Sequence, residues 1–342
     1  MKVLIIRFSS LGDCILLCPL ASHLKTIGAE QVTVVTKRAY AEVFAAATGV
    51  DRVVAFDPAG GLSGLLRIAS DHRGRGWTVL DAHNNWRSRV LSWRLGGAAG
   101  RFAKHYRERL GLIVFKRAAR GLPSILEQYG MLAEAVGYPP ARLAPGGIDV
   151  PERYVAAAAE RMRRDEHRFI AIAPGTRWPM KRWPVERFVS LAERLTRNKG
   201  YRLLLMGDEN DRAATSPIAE RFGEWCVDIT GQTGIIEGAG YLAHCSGFVG
   251  NDSGLTHLAE AVGVPVVALF GPTVETFGYY PSLASSKTVE RSMTCRPCSR
   301  NGSRPCPKGN QECKTGIDVD AVESAVLDML SESGPARYTL TS

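Results

Sequence analysis

Short apolar, often β-branched runs alternate with stretches whose apolar residues recur at helical spacing, and the alternation continues through most of the chain. Val3–Arg7, Val32–Thr36, Val53–Phe56 and Thr78–Asp81 read as strands, and the segments near Asp13–Thr26, Tyr40–Ala47, Leu62–Ser70 and Trp86–Arg94 read as helices. Repeated β–α alternation predicts a mainly parallel sheet with helices on both faces. A turn-rich break follows at Tyr138-Pro139-Pro140 and Ala144-Pro145-Gly146-Gly147. The pattern then restarts with strands at Phe169–Ala173, Arg202–Met206, Val227–Ile229, Phe248–Gly250 and Val264–Phe270, and with helices over Val185–Thr196 and Asp211–Phe222. A last helix, Val319–Leu330, has room to cross back toward the first domain, and residues 333–342 read as a loose tail. The expectation is an α/β protein of two Rossmann-like domains, residues 1–150 and 151–332, with a ligand bound between them at the carboxyl ends of their strands.

The 342 residues suit two domains, and 45% apolar with 23% charged residues is a soluble globular composition. No apolar run approaches the roughly eighteen residues of a membrane span. The apolar part of Met1–Arg7 is too short for a secretory signal, so a cytoplasmic location is expected. The net charge of +9 is unevenly spread. Residues 101–120 hold Arg101, Lys104, Arg107, Arg109, Lys116, Arg117 and Arg120 against Glu108 alone. Such a block attracts a phosphorylated substrate or an anionic membrane surface, or is simply a solvated helix face. No helix-turn-helix, RNA-recognition signature or zinc-finger histidine pair accompanies it, so no nucleic-acid partner is expected.

Three stretches carry candidate chemistry. Asn251-Asp252-Ser253-Gly254-Leu255-Thr256-His257 reads as a strand end, a tight turn and the first turn of a helix. Small residues there leave backbone N–H groups open to a ligand, and the helix dipole favours an anion. Taken alone, the stretch also describes an ordinary N-cap followed by a surface histidine. Arg7-Phe8-Ser9-Ser10-Leu11-Gly12-Asp13 places one carboxylate at a strand-to-helix turn, either as a proton acceptor or as a helix-capping aspartate. It lacks the G-x-G-x-x-G of dinucleotide binders, and no G-x-x-x-x-G-K-[ST] loop occurs, which argues against a nucleotide-dependent oxidoreductase. Pro174-Gly175-Thr176 through Lys181-Arg182-Trp183-Pro184 offers a threonine and, five residues on, a lysine able to neutralise a leaving phosphate.

Together with Asp81-Ala82-His83, Arg87-Ser88, Gly231-Gln232-Thr233 and Phe270-Gly271-Pro272-Thr273, these motifs run in order over residues 1–275. The ordered set resembles glycosyltransferase family 9, the lipopolysaccharide heptosyltransferases, most closely the type II enzymes. The resemblance implies a GT-B fold, with acceptor mainly on the first domain and nucleotide sugar mainly on the second. It implies inverting, metal-independent transfer of heptose from ADP-L-glycero-β-D-manno-heptose to the lipopolysaccharide inner core, with no cofactor required for catalysis. By motif, Asp13 would be the catalytic base and Lys181 would stabilise departing ADP. Thr176 and Lys181 would contact the donor phosphates, and Asp252, Ser253, Gly254 and His257 the diphosphate and sugar. Thr233 would lie near the adenine. An acid in the stretch 207–211 would bind the ribose: Asp211 by spacing, with Asp208 and Glu209 as rivals. Ser10, His83 and Arg87 are the acceptor candidates, in a polar cluster with Asp81 and Asn84. The acceptor would be phosphorylated Kdo-lipid A or a heptosylated inner core, and the basic stretch 101–120 offers a peripheral contact with the inner membrane. The rival readings are a GT-B enzyme using another nucleotide sugar and a non-catalytic nucleotide-sugar or lipopolysaccharide-binding protein.

Cys295, Cys298, Cys306 and Cys313 put four thiols in nineteen residues of a loop rich in Arg, Pro, Gly and Ser. They form a candidate structural zinc site, free or redox-variable thiols being the other reading. Nothing in the sequence places this loop, residues 295–313, at the transferring sugar. Cys14 and Cys18, one helical turn apart, are expected to be small core residues.

Overall fold

The computed structural model describes residues 1–116, 121–162 and 168–333. These form two compact units, Met1–His105 with Pro123–Asp149, and Tyr106–Leu122 with Val150 onward.

In the first unit, β1 (Lys2–Ile6), α1 (Leu11–Thr26), β2 (Gln31–Lys37), α2 (Ala41–Ala45), β3 (Arg52–Phe56), α3 (Gly61–His72), β4 (Trp77–Asp81), α4 (Trp86–Arg94) and the short β5 (Gly100–Arg101) follow one another along the chain. The strands pair in parallel in the order β3-β2-β1-β4-β5, with Leu4 opposite Thr33 on one side and Val79 on the other. A central parallel strand is covered on both faces, and Val3, Leu4, Ile5 and Ile6 are all fully buried, which is why β1 is apolar throughout rather than alternating. Helix α1 is buried around most of its circumference, Cys14 and Cys18 included. Burial pushes the Cys14 thiol up to about 12 and raises the Cys18 thiol too, so both behave as core residues.

The second unit contains α5 (Tyr106–Phe115), and α6 (Ile125–Gly130) belongs to the first. After α7 (Glu152–Met162) come β6 (Phe169–Ala173), α8 (Val185–Glu193), β7 (Arg202–Leu205), α9 (Arg212–Phe222), β8 (Cys226–Asp228), α10 (Ile235–Leu242), β9 (Cys245–Asn251), α11 (Gly254–Ala261), β10 (Val266–Phe270), β11 (Lys287–Glu290), α12 (Glu312–Thr315) and α13 (Val319–Glu332). Its six strands lie parallel in the order β11-β10-β9-β6-β7-β8. Counted from β6, that is the 3-2-1-4-5-6 order of a doubly wound sheet, and the first unit has the same order through five strands.

Two placements in the second unit have clear causes. Residues 106–116, expected within the first domain, cluster with the second unit, where Arg109 donates to the Phe277 carbonyl at 3.0 Å and Lys116 to the Pro297 carbonyl at 2.5 Å. Two cations of the basic stretch are therefore committed to carbonyls of their own unit, while Arg117 and Arg120 lie outside the described residues. Helix α13 packs its Val322, Val326, Met329 and Leu330 into the core of the second unit with Trp183 and Phe188. Gly247 on β9 permits that approach, since a Cβ there would stand 2.2 Å from the Met329 methyl. The tail beyond residue 333 lies outside the described residues. Among the described residues, no helix is long and apolar enough to cross a membrane.

Candidate functional site

In a doubly wound sheet, ligands bind beyond the carboxyl ends of the strands where the strand order reverses. That reversal lies between β1 and β4 in the first unit and between β6 and β9 in the second. Asp13 follows β1, His83 follows β4, Thr176 and Lys181 follow β6, and Asp252 to His257 follow β9. Topology thus brings the motif residues to the switch point of each unit.

In the first unit, Asp13 sits in the first turn of α1 and is 8% exposed. Its Oδ2 accepts from the Ser10 hydroxyl at 2.6 Å and the Ser10 N–H at 3.1 Å, and pairs with the Arg7 guanidinium at 2.6 Å. Arg7 is itself buried, donates to the Ala82 carbonyl at 2.6 Å and lies over the rings of Phe102 and Tyr129. The carboxylate is therefore held in one rotamer beside a buried guanidinium. Asp81, fully buried, organises the turn after β4 by accepting from the N–H groups of His83 and Asn84 and from the Ser88 hydroxyl. His83 stands edge-on to Phe8, and its buried Nδ1 has no hydrogen-bond partner among the described residues. Burial first, then the charges of Arg7, Lys104 and Lys37, against the opposing Asp13, push its imidazole down to about 3. His83 is consequently a neutral hydrogen-bonding group at physiological pH and not a cation. Arg87 lies exposed on α4 with its guanidinium 4.5 Å from the Trp86 ring centroid, on the surface and not in the Asp13 network.

In the second unit, Lys181 meets Asp252 at 2.5 Å, and the Thr273 hydroxyl donates to the same carboxylate oxygen at 2.7 Å. Burial alone would raise the Asp252 carboxyl, but Lys181, Thr273 and His257 together hold it below the usual range. Asp252 thus orients the Lys181 ammonium, and as an anion it would itself repel a diphosphate. Ser253 holds the N-cap position of α11 in an extended conformation, and its buried Oγ has no hydrogen-bond partner among the described residues, beside the N–H groups of the Gly254 turn. His257 is buried on the next turn, 6.1 Å from the Tyr279 ring. Thr176 is buried in the β6 loop, where its carbonyl accepts from Arg182 at 3.1 Å.

The acidic stretch after β7 divides in two. Asp211 caps the turn by accepting from the Asp208 N–H at 3.1 Å and is wedged against Gly175 and Gly207, whose missing side chains make room for it. Burial raises its carboxyl, with the Asp208 amide and Arg182 opposing. Glu209 is exposed, and its carboxylate lies over Gly231, the glycine two residues before Thr233.

The cysteine-rich segment does reach this site, contrary to the sequence expectation. Gly302, at φ +77°, packs directly on Lys181, where a Cβ would stand 2.8 Å from the lysine Cγ. Arg296 is buried and donates to the carbonyls of Gly271 and Thr273 from behind. All four thiols are free. The Cys306 sulfur lies by the N–H groups of residues 308–311, while Cys313 is buried against Gly271. Among the described residues, no three His, Cys, Asp or Glu side chains are grouped to hold a metal ion.

In the sequence, Arg7 and Asn251 stand inside their motifs without a role of their own, and Arg296 and Lys314 carry no signal. An arginine closing a four-residue apolar strand was the available signal for the first. The others read as ordinary loop residues.

Two doubly wound parallel sheets, with a buried carboxylate at the switch point of one and a lysine beside an open helix N-terminus at that of the other, define a GT-B-type α/β protein. A family model for glycosyltransferase family 9 (heptosyltransferase) matches residues 77–310, and the chain belongs to this family. It is 37% identical over 131 residues to lipooligosaccharide heptosyltransferase 2 of Haemophilus influenzae, a match covering 37% of each chain. It is 32% identical over 174 residues to lipopolysaccharide heptosyltransferase 2 of Salmonella typhimurium, covering 49% of each. The chain thus matches half or less of the length of these relatives. The solved ADP-heptose lipopolysaccharide heptosyltransferase II of Escherichia coli superposes with a TM-score of 0.72 at 22% identity, covering 97% of this chain and 99% of that one.

Proposed function

We propose that the protein is a heptosyltransferase of lipopolysaccharide core assembly, moving heptose from ADP-L-glycero-β-D-manno-heptose to a phosphorylated Kdo-lipid A or heptosylated inner-core acceptor. The supporting relatives bear heptosyltransferase names, and the observation that carries the chemistry is the pairing of functions on the two switch points. Asp13 is an oriented carboxylate able to take the proton of an acceptor hydroxyl. That oxygen attacks the anomeric carbon as its bond to ADP breaks, which inverts the sugar. Lys181 leaves Asp252 for the departing diphosphate, and the N-terminus of α11 offsets the same growing charge. His83 contributes a neutral hydrogen bond to the acceptor, and Ser10 holds Asp13. Thr176, Ser253, Gly254 and His257 line the donor phosphates and sugar, Thr233 approaches the adenine, and the acid over Gly231, Glu209, meets the ribose in preference to Asp211. No metal enters this scheme, because Lys181 and backbone N–H groups supply the positive charge. A cytoplasmic protein touching the inner-membrane face through its basic stretch fits the same reading.

The test is turnover with ADP-heptose and truncated inner-core acceptors, read by mass spectrometry beside ADP-, UDP- and GDP-hexoses in the presence of a chelator. A heptose-sized mass gain only from ADP-heptose is expected. Transfer only from another nucleotide sugar replaces the donor assignment, and nucleotide binding without any transfer favours a binding protein.

A further inference from the structure

Lys314 is a fully buried lysine that the proposed chemistry does not use. It comes from α12, directly after Cys313, and its stem runs across Gly271, where a Cβ would stand 2.5 Å from the lysine Cδ. The ammonium donates to Asn251 Oδ1 at 3.0 Å and to the Leu269 carbonyl at 3.1 Å. Asn251 is also fully buried. Its Oδ1 accepts in addition from the Trp183 N–H at 2.9 Å, its Nδ2 donates to the Pro174 carbonyl at 2.7 Å, and its backbone carbonyl accepts from Thr256 at 2.9 Å. One amide therefore joins both ends of the segment holding Thr176 and Lys181 to the turn holding Asp252 and Ser253.

We infer that Lys314 is the positioning residue of the donor subsite, acting through Asn251 to set the Thr176–Lys181 loop against the Asp252–Gly254 turn. An amide can rotate to exchange its oxygen and nitrogen, and only the partners decide between them. Two donors at Oδ1, one of them Lys314, make the flipped state face two N–H groups with an NH₂ and leave Pro174 O facing an oxygen. Removing the lysine leaves only the Trp183 N–H and the Pro174 carbonyl to set that preference, and a displaced loop moves Lys181 from its place. A packing role would need only the volume of the side chain, and full burial makes an ammonium a costly way to supply it.

This inference rests on the donor reading above, and the experiment separates the two. ADP affinity by calorimetry and transfer kinetics with ADP-heptose are compared for the full-length protein, Lys314→Met, Lys314→Gln and Asn251→Ala, each checked by thermal melting. Lys314→Met is expected to weaken ADP binding and raise the donor KM about tenfold, a typical cost of one lost buried hydrogen bond to a charged group. The acceptor KM should be unchanged, and Lys314→Gln, which keeps an N–H donor, should recover most of the loss. Equal kinetics for Met and Gln variants, or a lowered melting temperature with wild-type kinetics, overturns the positioning role. If Lys314→Met does not fold, Asn251→Ala reads the same link, and a donor KM equal to wild type overturns it. A wild-type protein that binds neither ADP nor ADP-heptose overturns the donor reading and this inference together.

Discussion

The ammonium of Lys181 stands 2.5 Å from the carboxylate of Asp252, with both side chains nearly closed to solvent. In the proposed reaction this lysine turns to a phosphate, so the carboxylate and the phosphate compete for it. Lys181→Ala is expected to weaken donor binding and slow transfer by about 10²–10³-fold, the scale for losing one preorganised charge on a leaving group. Asp252→Asn should instead act first on stability, by about 3–5 kcal/mol, because it leaves a buried cation unpaired. Steady-state kinetics and urea unfolding of both variants check this, and unchanged kinetics in Lys181→Ala would remove the lysine from the reaction.

Asp13 is fixed by Arg7 at 2.6 Å and by two donors from Ser10. Asp13→Asn keeps the shape but removes the proton acceptor, so turnover should fall by about 10²–10⁴-fold while ADP affinity stays at the wild-type value. Near-normal turnover would exclude Asp13 as base.

Much of this arrangement is legible in the sequence because parallel strands are short apolar runs followed directly by their functional turns. Phe169–Ala173 and Trp86–Arg94 appear in the structure with the expected bounds, and Asp13, Lys181 and Asp252 fall at the expected turns. Helix α10 was not visible, since Gly238 and Gly240 interrupt its apolar pattern. Gly240 is there for close packing, its absent Cβ leaving room for the Tyr154 carbonyl at 2.7 Å. Lys314 and Arg296 were invisible for another reason. They reach partners at Asn251, Leu269, Gly271 and Thr273, and such long-range contacts leave no local pattern in a polar, cation-rich loop.

The two acids after β7 should separate by role. Glu209 is exposed over Gly231, so Glu209→Gln should raise the donor KM several-fold with little change in stability. Asp211 accepts the Asp208 N–H, so Asp211→Asn should cost about 1 kcal/mol of stability, as for other lost caps, and leave the donor KM nearly unchanged. The opposite pattern in kinetics and urea unfolding would return the ribose to Asp211.

His83 gives a pH prediction of definite sign. Its folded-state value of about 3 lies below the ordinary 6.5, so the folded protein binds this proton less readily than the unfolded chain. Its contribution is present above pH 6.5 and is lost as pH falls toward 3. Relative to His83→Gln, the wild type should lose about 2 kcal/mol between pH 6.5 and 5, measured by urea unfolding at both values. Parallel losses in the two proteins would show that His83 does not resist protonation.

Gly302 tests whether the cysteine-rich segment matters to the donor at all. Its φ of +77° disfavours any other residue by about 1–2 kcal/mol, and a Cβ would sit 2.8 Å from Lys181 Cγ. Because the atom struck is the stem of the lysine itself, relief of the clash moves the ammonium away from Asp252 and from the place the diphosphate would take. Gly302→Ala should therefore raise the donor KM and lower kcat together, whereas Gly309→Ala, at a similar φ of +74° but with open space around it, should cost stability and leave the kinetics alone. The paired comparison, by melting temperature and donor kinetics, separates backbone strain from contact with Lys181. Equal kinetic effects from the two substitutions would show that the loop influences the site only through its own folding.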